Sequence, residues 1–422
     1  MSRLILLAWL IVSGTPVPRL EAMDAALGGA LPEPLPLFPS DHWWNRDISA
    51  WPVDPNSASY IQYINNGGIR RLHPDLGGKA PTDDDPFGSY GIPYVVVSGV
   101  TATDLVPVEF DYASESDGMD HKRGVSFPFY PIPPQAITEP FWIEGGSPGN
   151  VNLTGSQDRH LLIVDANRNF LYELYNVFYD AALRRWHAGS GAFFDMNTNV
   201  RRPDTWTSAD AAGLAILPGL LRHDEVYDPN RLEIAHAFRV TVRSTDGYVY
   251  PASHRAGSRT GALPMGARLR LKASVEVAKR TADPHMQRVF RAMQRHGLIV
   301  ADNGSDMYIT GTYDPHWDSD ILNPAFRSLS ASDFEVIQLG YNPAAQPTAR
   351  RSPGNLRAVL AHSGLTLSWD QEAGAAGYTV EVTDRIDDTT AWRTAARTES
   401  GSWSTALESL SPVRFFRVLV TD

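Results

Sequence analysis

The stretch Gly297–Gly311, GLIVADNGSDMYITG, places two short β-branched and aromatic runs on either side of an Asn303-Gly304 pair. That pair supplies the positive φ angles of a tight turn, so the spacing predicts a β-hairpin. Working outward, runs of the same texture recur: GIPYVVVSG from Gly91, LVPVEFDY from Leu105, RHLLIVD from Arg159, FLYELYNVFYD from Phe170, LEIAHAFRVTVR from Leu232 and ARLRLKASVEV from Ala267. Each is bounded by Gly, Pro, Asn or Asp. One segment reads as a clear helix, DPHMQRVFRAMQRHG, with Asp283 as N-cap, Pro284 in the first turn and Gly297 as the stop. Many strands and few helices predict a mainly β chain with a β-sandwich or jelly-roll-like main domain. A β-propeller-like arrangement is the alternative, weakened by the lack of a fixed internal repeat.

Composition narrows the function classes. The chain has 422 residues, no cysteine and a formal charge of -11, which exclude thiolate chemistry and disfavour general nucleic-acid binding. Arg3 precedes LILLAWLIV (Leu4–Val12), an apolar run too short to span a membrane, so residues 1–22 read as a signal peptide and the protein as secreted, extracellular or periplasmic. No membrane span is expected, and the protein is expected to be a monomer. The main domain is placed at 35–340. A Pro-, Gly- and Ser-containing linker follows at 341–354, and a small β-sandwich at 355–422.

The last segment carries Trp369 in an early strand, Tyr378 in GYTVEV and the closing FFRVLV of Phe415–Val420. On these residues it resembles a fibronectin type III domain, which implies a seven-stranded sandwich serving as spacer or attachment module. The main domain carries DRHLLIVD, LYELYNVF, AGSGAFFDMNTN, HAFRVTVR and GLIVADNGSDMYITG. On these it resembles a group of large secreted bacterial proteins often found beside carbohydrate-related modules. That resemblance implies a compartment and a context, and it assigns no catalytic residue.

Chemistry must then be sought in the side chains. Ser190 in AGSGA lacks the spacing of a nucleophile elbow, and no Gly-rich loop ends in Lys-Ser or Lys-Thr. DANRN (Asp165, Asn167, Asn169) lacks the glycine and terminal Glu of a calcium loop and reads as a hairpin turn. No metal and no cofactor are therefore expected. Glycoside hydrolysis needs two carboxyl groups flanking one bond, and the candidates at strand ends are Asp195, Asp224, Glu225 and Asp302. Lysis of a uronate glycan needs a base such as Tyr250 or His254, with Arg255 beside them. Alternation puts Arg239 and Arg243, and Arg268, Arg270 and Lys272, on outward faces. This predicts a basic floor for an acidic glycan, or a solvated face paired with neighbouring acids. His236 falls on an apolar face and reads as a core histidine. Trp206 and Trp317 are candidate sugar platforms, as are Trp43, Trp44 and Trp51, which packing of an N-terminal arm would equally bury.

In TSADAAGLAILPGLLRHDEV (Thr207–Val226), Thr207 and Asp210 read as the two ends of a helix-capping box. Asp224 and Glu225 follow the Pro218-Gly219 break with no helix to cap, which leaves them as catalytic candidates. The leading expectation is a secreted carbohydrate-active enzyme cleaving a polysaccharide, a glycoside hydrolase with paired carboxylates. A polysaccharide lyase and a non-catalytic carbohydrate-binding or adhesion protein are the alternatives.

Overall fold

The computed structural model describes residues 23–78, 89–151, 158–343, 353–361, 364–372, 375–383, 392–406 and 415–421. The expected signal peptide lies outside the described residues, as does most of the linker. The chain divides into two compact units, Met1–Tyr341 and Asn342–Asp422. It is mainly β, as the spacing predicts, and its sheets are open rather than closed into a propeller.

The first unit is built on two mixed sheets. A five-stranded sheet runs Asp24–Leu27, Tyr94–Ser98, Leu161–Asp165, Phe170–Tyr175, Ser190–Asp195 in spatial order. Its central strand is buried at every position, because both faces are covered. Val95, Leu161, Ile163 and Leu174 enter one core, while Leu162, Val164, Leu171 and Phe194 enter another. A six-stranded sheet runs Phe334–Val336, Arg268–Leu271, Leu298–Asn303, Phe238–Val242, Tyr308–Thr310, His73–Asp75. Helices Ser57–Asn65, Pro284–Arg295 and Ser319–Arg327 contribute Ile61, Phe290 and Phe326 to the core that contains its Phe238 and Val240. The helix Pro284–Arg295 has the predicted ends: the Asp283 side chain accepts the amides of His285 and Met286, and Gly297 takes a φ of 74°.

The predicted hairpin at 297–311 does not form. Strand Phe238–Val242 lies between the two runs, parallel to Leu298–Asn303 and antiparallel to Tyr308–Thr310. The connection wraps the end of that intruding strand: the Gly304 amide donates to the Val242 carbonyl at 2.9 Å and the Met307 amide to the Thr241 carbonyl at 3.0 Å. Met307, not the Asn-Gly pair, takes the positive φ, at 65°. A long-range partner with paired backbone on both sides thus overrides local turn chemistry.

Segment 207–221 lies between the two sheets and serves both. Ala209, Ile216, Leu217 and Leu220 pack into the core of the five-stranded sheet, while Ala212, Leu214 and Leu221 pack into that of the six-stranded one. Buried Glu173, on the five-stranded sheet, accepts the Ile216 and Leu217 amides. Burial pushes its carboxyl up to about 7 against the pull of those amides. The predicted capping box at Thr207–Asp210 caps no helix, because Asp210 is drawn instead to Arg239.

The helix expected to be absent after Gly219 is present at His223–Tyr227. Glu225 caps it, accepting the Arg222 amide at 2.9 Å. Its carboxylate also meets the Arg222 guanidinium at 3.0 Å and His236 Nε2 at 2.9 Å, all three side chains being buried. Burial disfavours the charge, but Arg222 and then His236 hold the carboxyl down at about 2. Asp224 is exposed beside Arg222.

The second unit comprises two three-stranded antiparallel sheets, Arg357–Ala361, Gly364–Ser368, Ser402–Ala406 and Arg393–Thr398, Gly377–Thr383, Phe415–Thr421. Leu367 and Trp369 meet Tyr378, Val380 and Val418 in their shared core.

With a folded pKa of about 2 against an ordinary 4.5, Glu225 contributes stability that is complete above pH 4.5 and lost as the pH falls toward 2. Glu225→Gln should therefore cost about 3 kcal/mol at neutral pH and flatten that acid limb, as read by urea unfolding across a pH series.

Candidate functional site

Arg239 is the centre of the site. It sits on the strand Phe238–Val242, on the face opposite Phe238 and Val240, and that face is buried too. A buried guanidinium needs counter-charge and acceptors at several nitrogens. Nε and Nη2 bind Asp210 at 2.7 and 2.9 Å. Nη2 also reaches Asp302 at 3.2 Å, and Nη1 donates to the Thr310 hydroxyl at 2.7 Å. Strand register places Asp75 directly beside Thr310. One guanidinium thereby lines up acidic groups from neighbouring strands and from the inter-sheet segment.

Two adjoining cavities open along this row. The first, about 390 Å3, is bordered by Asp302, Asp210, Asp158, His160, His254 and Glu115. The second, about 270 Å3, is bordered by Asp75, Glu144, Asp158, Tyr90, Phe141 and Tyr313. Asp158 borders both, and the two together are the cleft. Phe141 stacks on Tyr313 with centroids 4.7 Å apart at one end, and Tyr112 and Tyr175 stand at the other.

The wall between the cavities is an ion pair. His160 Nδ1 lies 2.5 Å from Glu144, and its Nε2 lies 3.0 Å from the Ala209 carbonyl. Acceptors at both nitrogens suit an imidazolium. Burial opposes its charge, but Glu144 carries its pKa up to about 9, and Glu144 is itself held below the usual range by His160.

Two of the carboxyls facing the cleft are shifted the other way. Burial and the Asp210 carboxylate push Asp302 up to about 6, against the pull of Arg239. Burial raises Asp75, with Arg239 opposing and Glu144 and Asp158 adding to the rise. The cations nearby are occupied: all three types of nitrogen on Arg159 donate to backbone carbonyls of Val177, Ser147 and Pro148. The cleft is acidic, with two carboxyls that retain protons more readily than a free Asp.

The residues singled out from the sequence divide sharply. Asp302 and His254 line the cleft, and Arg239 stands behind it. His254 Nδ1 meets the Ala211 carbonyl at 2.9 Å, and its Nε2 lies 3.9 Å from Glu115. Glu225 and Asp224 belong to the helix cap described above. Asp195 is turned into its own chain, accepting the Asn197 amide at 3.0 Å. Tyr250 packs edge-on against Trp43, 6.3 Å away.

The basic face expected as a floor for an acidic glycan, or as a solvated face paired with neighbouring acids, is not exposed at Arg239, Arg268 or Arg270, because both sides of the sheet are covered. Arg268 donates to the Trp43 carbonyl, and Arg270 binds Glu335 at 2.7 Å. Trp317 is buried, donating Nε1–H to the Thr312 carbonyl at 2.9 Å, and Trp206 lies against Arg202 at 5.5 Å. Trp43 and Trp44 are buried as well.

Sequence reasoning missed Asp75, Glu144, Asp158 and His160, and gave Asp210 a local role. A signal for them existed in HAFRVTVR: an arginine within an apolar strand demands acids from elsewhere in the fold. Among the described residues no group of three His, Asp or Glu side chains is disposed to hold a metal ion, and no helix is long and apolar enough to cross a membrane. No family model, curated protein or solved structure matches this chain.

Because Asp302 titrates near 6 in the fold against an ordinary 3.8, its ionised form destabilises the native state at neutral pH and is relieved as the pH falls through 6. With about a quarter of the side chain exposed, Asp302→Asn should raise the unfolding free energy at pH 7 by roughly 1–3 kcal/mol. The gain should shrink toward pH 4, as followed by urea unfolding at both pH values.

Proposed function

We propose that the protein is a secreted glycoside hydrolase that cleaves a polysaccharide in the cleft between the two sheets of its main unit. The observation that carries the reading is the carboxyl of Asp302, raised to about 6 by burial and Asp210 and facing the same cavity as Asp158. Asp302 is the general acid: it protonates the departing glycosidic oxygen. Asp158 supplies the opposing carboxylate, as base or nucleophile, from the junction of the two cavities. Arg239 and Asp210 set the acid strength of Asp302, Asp210 upward and Arg239 downward. The aromatic rings at the ends of the cleft offer stacking faces to sugar rings beyond the scissile bond.

The charge of the cleft supports a neutral or amino-sugar glycan as the substrate. A uronate or sulfated chain would meet Asp75, Glu144, Asp158 and Asp302, while the arginines beside them are engaged, Arg239 by Asp210 and Arg159 by backbone carbonyls. Polysaccharide lysis, which must neutralise a substrate carboxylate, draws less support for the same reason.

Asp302→Asn should lower kcat on unactivated glycosidic bonds by about 10²–10⁴-fold while sparing aryl glycosides whose leaving group needs no proton. In the wild type, the rate of reducing-end release should fall as the pH rises through about 6, since the acid must be protonated. Unchanged turnover in Asp302→Asn, or no new reducing ends from any neutral or amino-sugar polymer, would sink the proposal.

A further inference from the structure

Away from the cleft, on the strand Arg268–Leu271, lies a second buried guanidinium with an opposite character. Arg268 is only 5% exposed. Its Nη2 donates to the Trp43 carbonyl, and its guanidinium lies 5.2 Å over the Trp51 ring. Its Nε–H and Nη1–H have no acceptor among the described residues. The charged or ionisable groups it feels are Tyr250 and another cation, Arg46. Arg239, Arg243, Arg222 and Arg270 each meet a carboxylate; among the described residues this arginine meets none.

Further unpartnered groups lie on the segment that Arg268 holds through the Trp43 carbonyl and whose His42 and Arg46 it feels. Arg46 Nε, His42 Nε2 and Trp43 Nε1 are buried without an acceptor. His42 Nδ1 accepts the Trp44 amide at 3.4 Å, which places the ring proton on Nε2. Burial, Arg268 and Arg46 together hold that ring neutral. Every one of these idle groups is therefore a donor, and two of them carry positive charge. Uncompensated donors of this kind are costly in a protein interior, and what satisfies them all at once is an anion.

We propose that Arg268, Arg46, His42 and Trp43 form a buried binding site for one small monovalent anion of the halide class. The size follows from the packing. The His42 ring lies against those of Phe38 and Trp43, at 4.2 and 3.7 Å. Arg268, His42 and Trp43 are 5%, 1% and 4% exposed, so little space remains among them, and a single-atom ion is the anion that fits most readily. The ion joins the aromatic segment 42–51 to the six-stranded sheet, acting as the counter-charge that the sequence omits. This site is independent of the hydrolase reading.

The direct test is to soak crystals of the full chain in sodium bromide and collect anomalous data at the bromine edge. The expected result is an anomalous peak in contact with Arg268 Nε or Nη1; a peak-free map with water at that position overturns the proposal. In solution, replacing sodium gluconate by sodium chloride at constant ionic strength should raise the melting temperature of the wild type saturably. Arg268→Met should abolish that chloride dependence. Should Arg268→Met fail to fold, His42→Phe keeps the ring stack, removes one donor and should raise the half-saturating chloride concentration several-fold. Equal melting temperatures for the wild type in the two salts would also overturn it.

Discussion

The bidentate pairing of Arg239 with Asp210 is the contact on which the main unit turns. Arg239 belongs to the six-stranded sheet, and Asp210 belongs to the segment between the sheets, so the pair fixes that segment against one sheet while Glu173 anchors it to the other. A buried pair of this kind contributes specificity more than net stability, because desolvation of both charges offsets their attraction. Its geometry is what the cleft inherits: the nitrogen that holds Asp210 also holds Asp302.

The same pairing explains why an acidic cleft can exist beside so much buried arginine. The arginines of the six-stranded sheet do not open onto the cleft as free cations. Arg239 serves the carboxylates of the cleft and Arg270 serves Glu335, while Arg268 lies away from the cleft against the Trp43 carbonyl. Little free positive charge is left beside Asp75 and Asp302, and desolvation then favours their protonated forms. The proposed function and the fold pull in opposite directions at Asp302, where the environment that raises the carboxyl also strains the native state.

Much of the architecture is legible in the sequence, and the reasons are local. The helix from Pro284 announces itself through its cap, its proline and its glycine, and the strands through β-branched runs between breakers. What escapes is anything set by long-range pairing. The Asn303-Gly304 turn is displaced by a strand some sixty residues earlier. The arginine face read as a glycan floor or a solvated face is covered by chain from distant positions. For the cleft, Asp302 and His254 stand out as chemistry at strand ends, but Asp75, Glu144 and Asp158 lie in loops and strand edges whose convergence no local pattern encodes. Glu225 misleads because its two partners, Arg222 and His236, are themselves ordinary in the sequence.

The strand that intrudes between Leu298–Asn303 and Tyr308–Thr310 also bears on how the molecule comes to its native state. A hairpin closes from its turn within microseconds, whereas this arrangement cannot zip locally. The earlier strand must be captured between two later ones, a non-local pairing of the sort that slows folding. Asp302 and Thr310 flank that captured strand and meet through Arg239 upon it. The acidic row is thus assembled only when the sheet is complete, so a partly folded chain carries the residues of the cleft without their geometry.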